Sequence, residues 1–208
     1  MSAPDVLVHP AALVETDDIG VGTRIWAFAH ILAGASIGRD CSIGDHCFIE
    51  GGARVGHGVT VKNGAMIWDG VTLEDGVFVG PGAVFTNDLR PRSPRGAGTA
   101  ARYEDSEWLA TTVVRRGASI GARAVILADL EIGAFAMVGA GAVVVGDVPS
   151  HALVVGTPAR RLGWVCSCGG RLPEGDGRWR CADCGRSFSA TPRGIEEALD
   201  QTPAGGGS

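Results

Sequence analysis

The sequence predicts an all-β fold, a coil of short parallel strands, on three observations: a strict six-residue apolar period, 33 glycines, and only 6% aromatic residues in 208. A flat strand alternates with period two, so a period of six needs three short strands per circuit with a bend after each. Apolar side chains stand at Leu7, Leu13, Ile19, Ile25, Ile31, Ile37, Ile43, Ile49, Val55, Val61, Ile67, Leu73, Val79 and Phe85. The series resumes at Val114, Ile120, Ile126, Ile132, Val138 and Val144. Two positions earlier the residue is mostly small, as at Ala29, Ala35, Cys41, Cys47, Ala53 and Ala65, and glycine often follows, as at Gly38, Gly44 and Gly56. The large residue therefore fills a corner of a triangular tube, with the small one packed beside it. Three hexads make one coil of 18 residues, so the twenty hexads give six to seven coils. Each buried corner side chain contributes roughly 1.5 to 3 kcal/mol, which together offsets the ordering of the coils.

With 45% apolar and 20% charged residues the chain is no disordered segment, and without a Gly-X-Y period it is no collagen. The net charge of −5 supplies no overall basic field, which argues against nucleic acid and anionic lipid as partners. The opening MSAPDVLVHP has no charged and apolar leader pattern, and no run of about 18 apolar residues occurs, so the expected location is the cytoplasm without membrane insertion. There, six cysteines are thiols or metal ligands rather than disulfides. The register puts Cys41 and Cys47 inward as structural thiols, and turns His9, His30, His46, His57, Trp26, Glu50 and Trp68 outward.

Between Phe85 and Val114 the offset of 29 is not a multiple of six, so a loop over about 86–112 must leave the tube. A loop of this length inside a compact domain is usually functional. It opens with Thr86, Asn87 and Asp88 and carries Arg90, Arg92, Arg95 and Arg102, whose guanidinium groups match phosphate or carboxylate; the bland alternative is a solvated loop. After Val144 the period fades, leaving a tube domain over 1–163. Cys166 and Cys168, then, after twelve intervening residues, Cys181 and Cys184, form two close pairs across a hairpin-length segment, the pattern of a closed four-thiolate zinc site. Disulfides or free thiols are the alternative. A zinc-binding hairpin over 164–190, stabilised by its metal, is expected to precede a flexible tail over 191–208.

Coils of 18 residues stack sequence positions into columns. Leu32, Glu50, Trp68 and Thr86 form one; Ala33, Gly51, Asp69 and Asn87 a second; His30, Phe48, Met66 and Val84 a third. One face thus collects an indole, carboxylates and an amide beside an arginine-bearing loop, the makings of a polar ligand site.

The ending VVGTPARR resembles the GNPA(R/K) ending of hexapeptide acyltransferases. The ordered string TRIWAFAHI, CFIEGG, WDGVTLEDGVFVGP, FTND, PRS, TVVRRGASIGA and GWVCSCG is similar to bacterial sugar N-acetyltransferases acting on UDP-2-acetamido-3-amino-2,3-dideoxy-glucuronate, in pathways to surface polysaccharides such as lipopolysaccharide O-antigen. The resemblance spans about residues 5–186. It departs at Gly82, where relatives often have Asn, at the Ala- and Gly-rich stretch 96–101, and at Thr157, where Asn is usual.

The resemblance implies a left-handed parallel β-helix, acetyl-CoA as co-substrate, and a homotrimer with sites between neighbouring tubes. It makes Asn87 of FTND the leading catalytic residue, as donor to the oxyanion or orienter of substrate, with His30 the fallback base. Trp26 and Trp68 are candidates to stack on a base or sugar, and Glu50, Asp69, Thr86 and Asp88 to orient its amine or hydroxyls. Arg90 and Arg92 would meet a diphosphate or carboxylate. For coenzyme A, Gly139, Ala140, Gly141 and Ala142 would admit the pantetheine arm to the backbone, and Arg160 and Arg161 would meet its phosphates.

The rival enzyme reading is acetylation of a dTDP-3-amino-3,6-dideoxyhexose. A metal-dependent carbonic anhydrase on the same tube fits poorly, because the histidines lack its long-then-short spacing. A non-catalytic binding scaffold is the reading from another class.

Overall fold

The computed structural model describes residues 5–96 and 98–198. Strands of two to four residues stack into three parallel sheets that form the walls of a left-handed β-helix. The first face holds Leu7–Val8, Arg24–Ile25, Ser42–Ile43, Thr60–Val61, Phe78–Val79, Ser119–Ile120, Met137–Val138 and Ala152–Val155. The second runs from Leu13–Val14 through His30–Ile31, Phe48–Ile49, Met66–Ile67, Val84–Phe85 and Val125–Ile126 to Val143–Val144. The third holds Ser36–Ile37, Arg54–Val55, Val71–Leu73, Thr112–Val114 and Glu131–Ile132. Ile25 pairs with Ile43 and Ile43 with Val61, the 18-residue offset of the hexads. Corner residues from Ile25 to Val144 are buried, and so are Ala29, Ala35, Cys41, Cys47, Ala53 and Ala65 beside them. Burial pushes the Cys41 and Cys47 thiols above the usual range, so both stay protonated in the tube.

The ends depart from the hexad register. At the start Val8 pairs with Ile25 and Val14 with Ile31, an offset of 17. Leu7 and Leu13, expected at corners, are instead half-exposed. At the far end Val148 bridges Ile132 and Val154 pairs with Val138, an offset of 16. One side of the last coil is two residues shorter there, while Val148 and Val154 keep the inward role. These two part-coils raise the first face to eight parallel levels rather than six or seven.

After a cis peptide bond between Thr157 and Pro158 the chain reverses, and Arg160–Trp164 pairs antiparallel with Ala152–Val155, closing the open edge. A separate three-stranded sheet follows, Arg178–Arg180, Ser187–Thr191 and Gly194–Glu197. Its third strand lies where a tail was expected from residue 191, so the described part of that segment is ordered; residues 199–208 lie outside the described residues. Ser150 bridges Gly194, tying the small sheet to the last coil.

Candidate active site

Three consecutive coils bring Glu50, Trp68 with Asp69, and Thr86 with Asn87 onto the corner where the second face turns into the third. All five are half-buried. The Asp69 amide donates to Glu50 Oε2 at 2.9 Å, and the Gly70 amide to Asp69 Oδ1 at 2.7 Å. Asn87 Nδ2 donates to the Asp69 carbonyl at 3.2 Å. A primary amide carries two N–H groups, so one anchors Asn87 and the other is left for a ligand. The corner needs glycine below it. Gly52 has φ +91°, and a Cβ there would collide with the Asp69 carboxylate; Gly70 has φ +83°, and its Cβ would lie 2.7 Å from the Ala110 carbonyl of the returning loop.

The loop over 86–112 is pinned at its foot. Asp88 accepts from Arg102 Nη2 at 2.6 Å and Nη1 at 2.9 Å, from Tyr103 Oη at 2.9 Å and from the Arg90 amide at 2.8 Å. The Arg102 guanidinium holds the Asp88 carboxyl well below the usual range, at about 2. Asp88 bridges Leu109, and the Ala110 amide donates to the Asn87 carbonyl at 2.9 Å. Asp88, expected to orient substrate, is thus committed to the loop, while Arg90 and Arg92 are exposed and Arg92 Nη1 donates to the Pro91 carbonyl at 2.9 Å. Arg102 and Tyr103 were not singled out by the sequence; Arg102 was one of four loop arginines, and only folding shows which one turns back.

Other candidates fall elsewhere. His30 faces outward on the second face, with Nε2 2.8 Å from Glu15 Oε1. Strands pairing His30–Phe48, Phe48–Met66 and Met66–Val84 set it three spacings, about 14 Å, below the level of Val84. The same chain therefore does not bring His30 and Asn87 together. Phe48 links them in part, its ring 5.5 Å from His30 and 5.2 Å from Trp68. Trp26 lies on a different corner, bonded to Ser42 Oγ at 3.2 Å.

In the expected pantetheine groove, the amides of Gly139, Gly141 and Ala142 already donate to the carbonyls of Val154, Ala122 and Gly139. Ala142 points its methyl into the tube, and a Cβ on Gly139 would meet Val155 at 2.8 Å; Gly141 opens to free space. The surface there is small and smooth, but its amides belong to the coil ladder. Arg160 and Arg161 part company: Arg160 donates to the Ala159 carbonyl, whereas the Arg161 guanidinium stacks on Trp164 at 4.4 Å.

The four expected metal ligands do converge. The Sγ atoms of Cys166, Cys168, Cys181 and Cys184 all lie within 4.8 Å of one another. Cys166 and Cys184 are 3.4 Å apart and Cys168 and Cys181 3.6 Å, near the edge of about 3.8 Å of a tetrahedron with 2.3 Å zinc–sulfur bonds. The residues present fit the metal.

Comparison with known proteins places this geometry. The family described as "Bacterial transferase hexapeptide (six repeats)" matches residues 19–51. The dTDP-3-amino-3,6-dideoxy-alpha-D-galactopyranose 3-N-acetyltransferase of Aneurinibacillus thermoaerophilus is 51% identical over 187 residues, 90% of this chain and 92% of that protein. The chain belongs to the hexapeptide-repeat acyltransferases. Among solved structures, the acetyltransferase domain of PglB from Neisseria gonorrhoeae FA1090 in complex with acetyl coenzyme A matches with TM-score 0.51 at 24% identity, over 77% of this chain and 58% of that one. A hexapeptide transferase family protein from Anaplasma phagocytophilum matches with TM-score 0.52 at 15% identity, over 77% and 80%. Both likenesses are of fold. This acyltransferase spans less than two thirds of the PglB chain. Among its described residues no helix is long and apolar enough to cross a membrane.

Proposed function

We propose that this acyltransferase moves acetyl from acetyl-CoA to the 3-amino group of a dTDP-3-amino-3,6-dideoxyhexose. The observation that carries this reading is the 51% identity, running through 90% of the chain, to an enzyme named for that substrate. That identity outweighs the resemblance of shorter motifs to enzymes of UDP-2-acetamido-3-amino-2,3-dideoxy-glucuronate. The carboxylate-bearing sugar is accordingly the second reading, favoured only by the exposed Arg90 and Arg92, and a place in surface polysaccharide synthesis goes with either.

In the reaction the neutral amine attacks the thioester carbonyl, a C–N bond forms, and the tetrahedral oxyanion collapses with loss of the coenzyme A thiolate, which takes up the proton shed by nitrogen. Asn87, held by Asp69, offers its second amide N–H to the oxyanion or to the sugar. Glu50 and Asp69 accept from the amine or hydroxyls, Trp68 and Thr86 line the corner, and Arg90 and Arg92 meet the diphosphate. His30, held by Glu15 at another level, has no part in the proton transfer of its own chain.

A trimer is part of the reading. Phe48, Met66, Val84, Val125 and Val143 form an outward column on the second face, an apolar strip suited to a neighbouring tube. The four thiolates would hold one structural zinc ion, which supplies no chemistry to acetyl transfer.

The test is an assay of coenzyme A release with acetyl-CoA and each nucleotide amino sugar. A kcat/KM at least about tenfold higher for the dTDP sugar is expected. Preference for the UDP-glucuronate derivative would move the substrate to the second reading, and binding without turnover of either would favour the scaffold.

A further inference from the structure

The loop over 86–112 holds a charged pair drawn largely out of water. The Asp88 side chain is 10% exposed and that of Arg102 27%, while Leu89 to Arg95 beside them are exposed. Desolvating two charges is offset only where geometry is good and the remaining lone pairs are satisfied, and such a pair fixes one conformation more than it adds stability. Here every condition is met: Asp88 accepts from both Arg102 Nη atoms, from Tyr103 Oη and from the Arg90 amide.

The local sequence builds the clamp. The 3₁₀ turn Ala100–Tyr103 presents Arg102 and Tyr103 in succession, and Thr99 Oγ1 closes the tip by donating to the Ser93 and Gly96 carbonyls. Trp108 packs edge-on against Tyr103 at 5.4 Å. Arg102 Nη1 also donates to the Arg90 carbonyl at 2.7 Å, and the Arg92 amide to Tyr103 Oη at 2.9 Å. Two side chains thus grip the outgoing segment at residues 88, 90 and 92.

The residue just before that grip is Asn87. Its carbonyl accepts from the Ala110 amide at 2.9 Å, and Asp88 bridges Leu109, so the 87–88 peptide is held by the returning stem on one side and by the clamp on the other. The Asn87 side chain has a single bond, 3.2 Å to the Asp69 carbonyl, at the long end of the usual range. The aim of its second N–H therefore depends on where the backbone sets its Cβ. A misplacement of an ångström at a reacting group is enough to lose about a hundredfold in rate.

We propose that Arg102 and Tyr103 are positioning residues for acetyl transfer, holding Asp88 so that the adjoining Asn87 aims its second amide N–H at the reacting acyl group. The proposal rests on the assignment of Asn87 to the reaction, and adds to it the residues that act through Asn87.

The experiment measures steady-state turnover of the full chain with acetyl-CoA and dTDP-3-amino-3,6-dideoxygalactose, with melting temperature as the folding control. Arg102→Ala is expected to lower kcat about tenfold with KM for acetyl-CoA unchanged, and Tyr103→Phe to lower it less. Millimolar guanidinium ion should restore most of the kcat of Arg102→Ala and none of that of Asn87→Ala. In the Asn87→Ala background Arg102→Ala should cause no further loss, because its effect runs through Asn87. Should Arg102→Ala fail to fold, Tyr103→Phe, which removes one hydroxyl, carries the same double-variant comparison. A wild-type kcat in Arg102→Ala, alongside a hundredfold loss in Asn87→Ala, overturns the clamp's role and leaves the corner standing. Losses that multiply in the double variant, or a kcat loss that tracks a lowered melting temperature without rescue, overturn it as well. Wild-type turnover of Asn87→Ala defeats the corner itself and the proposal with it.

Discussion

The tube and the cysteine module hold short strands together by opposite means. In the tube every coil repeats the same solution, and one continuous aliphatic core runs from Ile25 to Val154. Among the described residues the module core holds Leu172, Trp179, Phe188 and Ile195 with two cysteines, too few for a sheet of three strands to stand on burial alone. The difference teaches where each is vulnerable: the tube to a polar atom at a corner, the module to loss of whatever binds its four sulfurs. They meet at His151, which is buried, stacked on Phe135 at 5.1 Å and edged by Phe188 at 5.0 Å, with Nδ1 2.9 Å from the Val165 carbonyl. Burial pushes the His151 imidazole below its ordinary value, so this contact is made by the neutral ring.

The largest effect separates the two regions at the tube. Ile67→Asp puts a carboxylate without a partner at a fully buried corner, and a loss of at least about 4 kcal/mol in denaturant unfolding is expected. A melting curve matching wild type would mean that the corner is not interior.

Next comes the metal. A chelator should strip one zinc per chain and abolish amide exchange protection over Cys166–Glu197 while leaving Ile43–Ile132 protected. Loss of protection in both regions together would make the module part of the tube's core.

The joint is the third target. Gly194 has φ +131°, and a Cβ there would lie 2.5 Å from the Ser150 carbonyl, so Gly194→Ala should cost about 1 to 3 kcal/mol of module docking, seen as faster exchange at Ile195 with the tube unchanged. No change at Ile195 would show that the bridge carries no load.

The smallest effect lies in the loop. Because Arg102 depresses the Asp88 carboxyl from 3.8 to about 2, its contribution is complete above pH about 4 and disappears as pH falls through 2. Tyr103 resonances followed by NMR should hold their positions from pH 7 to 4 and shift below that, and Asp88→Asn should show the loosened positions at every pH.

The repeat was legible because a corner position admits only a large apolar residue, and the hexads obey that from Ile19 to Phe85 and from Val114 to Val144. The ends were not. Leu7 and Leu13 match the period, yet the first coil has no neighbour below it to enforce burial, and a one-residue slip puts Val8 and Val14 on the pairing positions. Column counting found Glu50, Trp68, Asp69, Thr86 and Asn87 together, since a ladder fixes height. It could not find the Asp88–Arg102–Tyr103 clamp, nor send Arg161 to Trp164, because irregular backbone and side-chain rotamers carry no period. The strand Gly194–Glu197 was missed for a similar reason: GIEEAL reads as polar and short, and only pairing with Ser187–Thr191 makes it a strand.

The central claim, that acetyl transfer is performed at the Asn87 corner, is tested most directly by steady-state turnover of Asn87→Ala with acetyl-CoA and dTDP-3-amino-3,6-dideoxygalactose. The account predicts a fall in kcat of about a hundredfold with an unchanged melting temperature, the scale of losing one oxyanion donor. Turnover at the wild-type rate would contradict it.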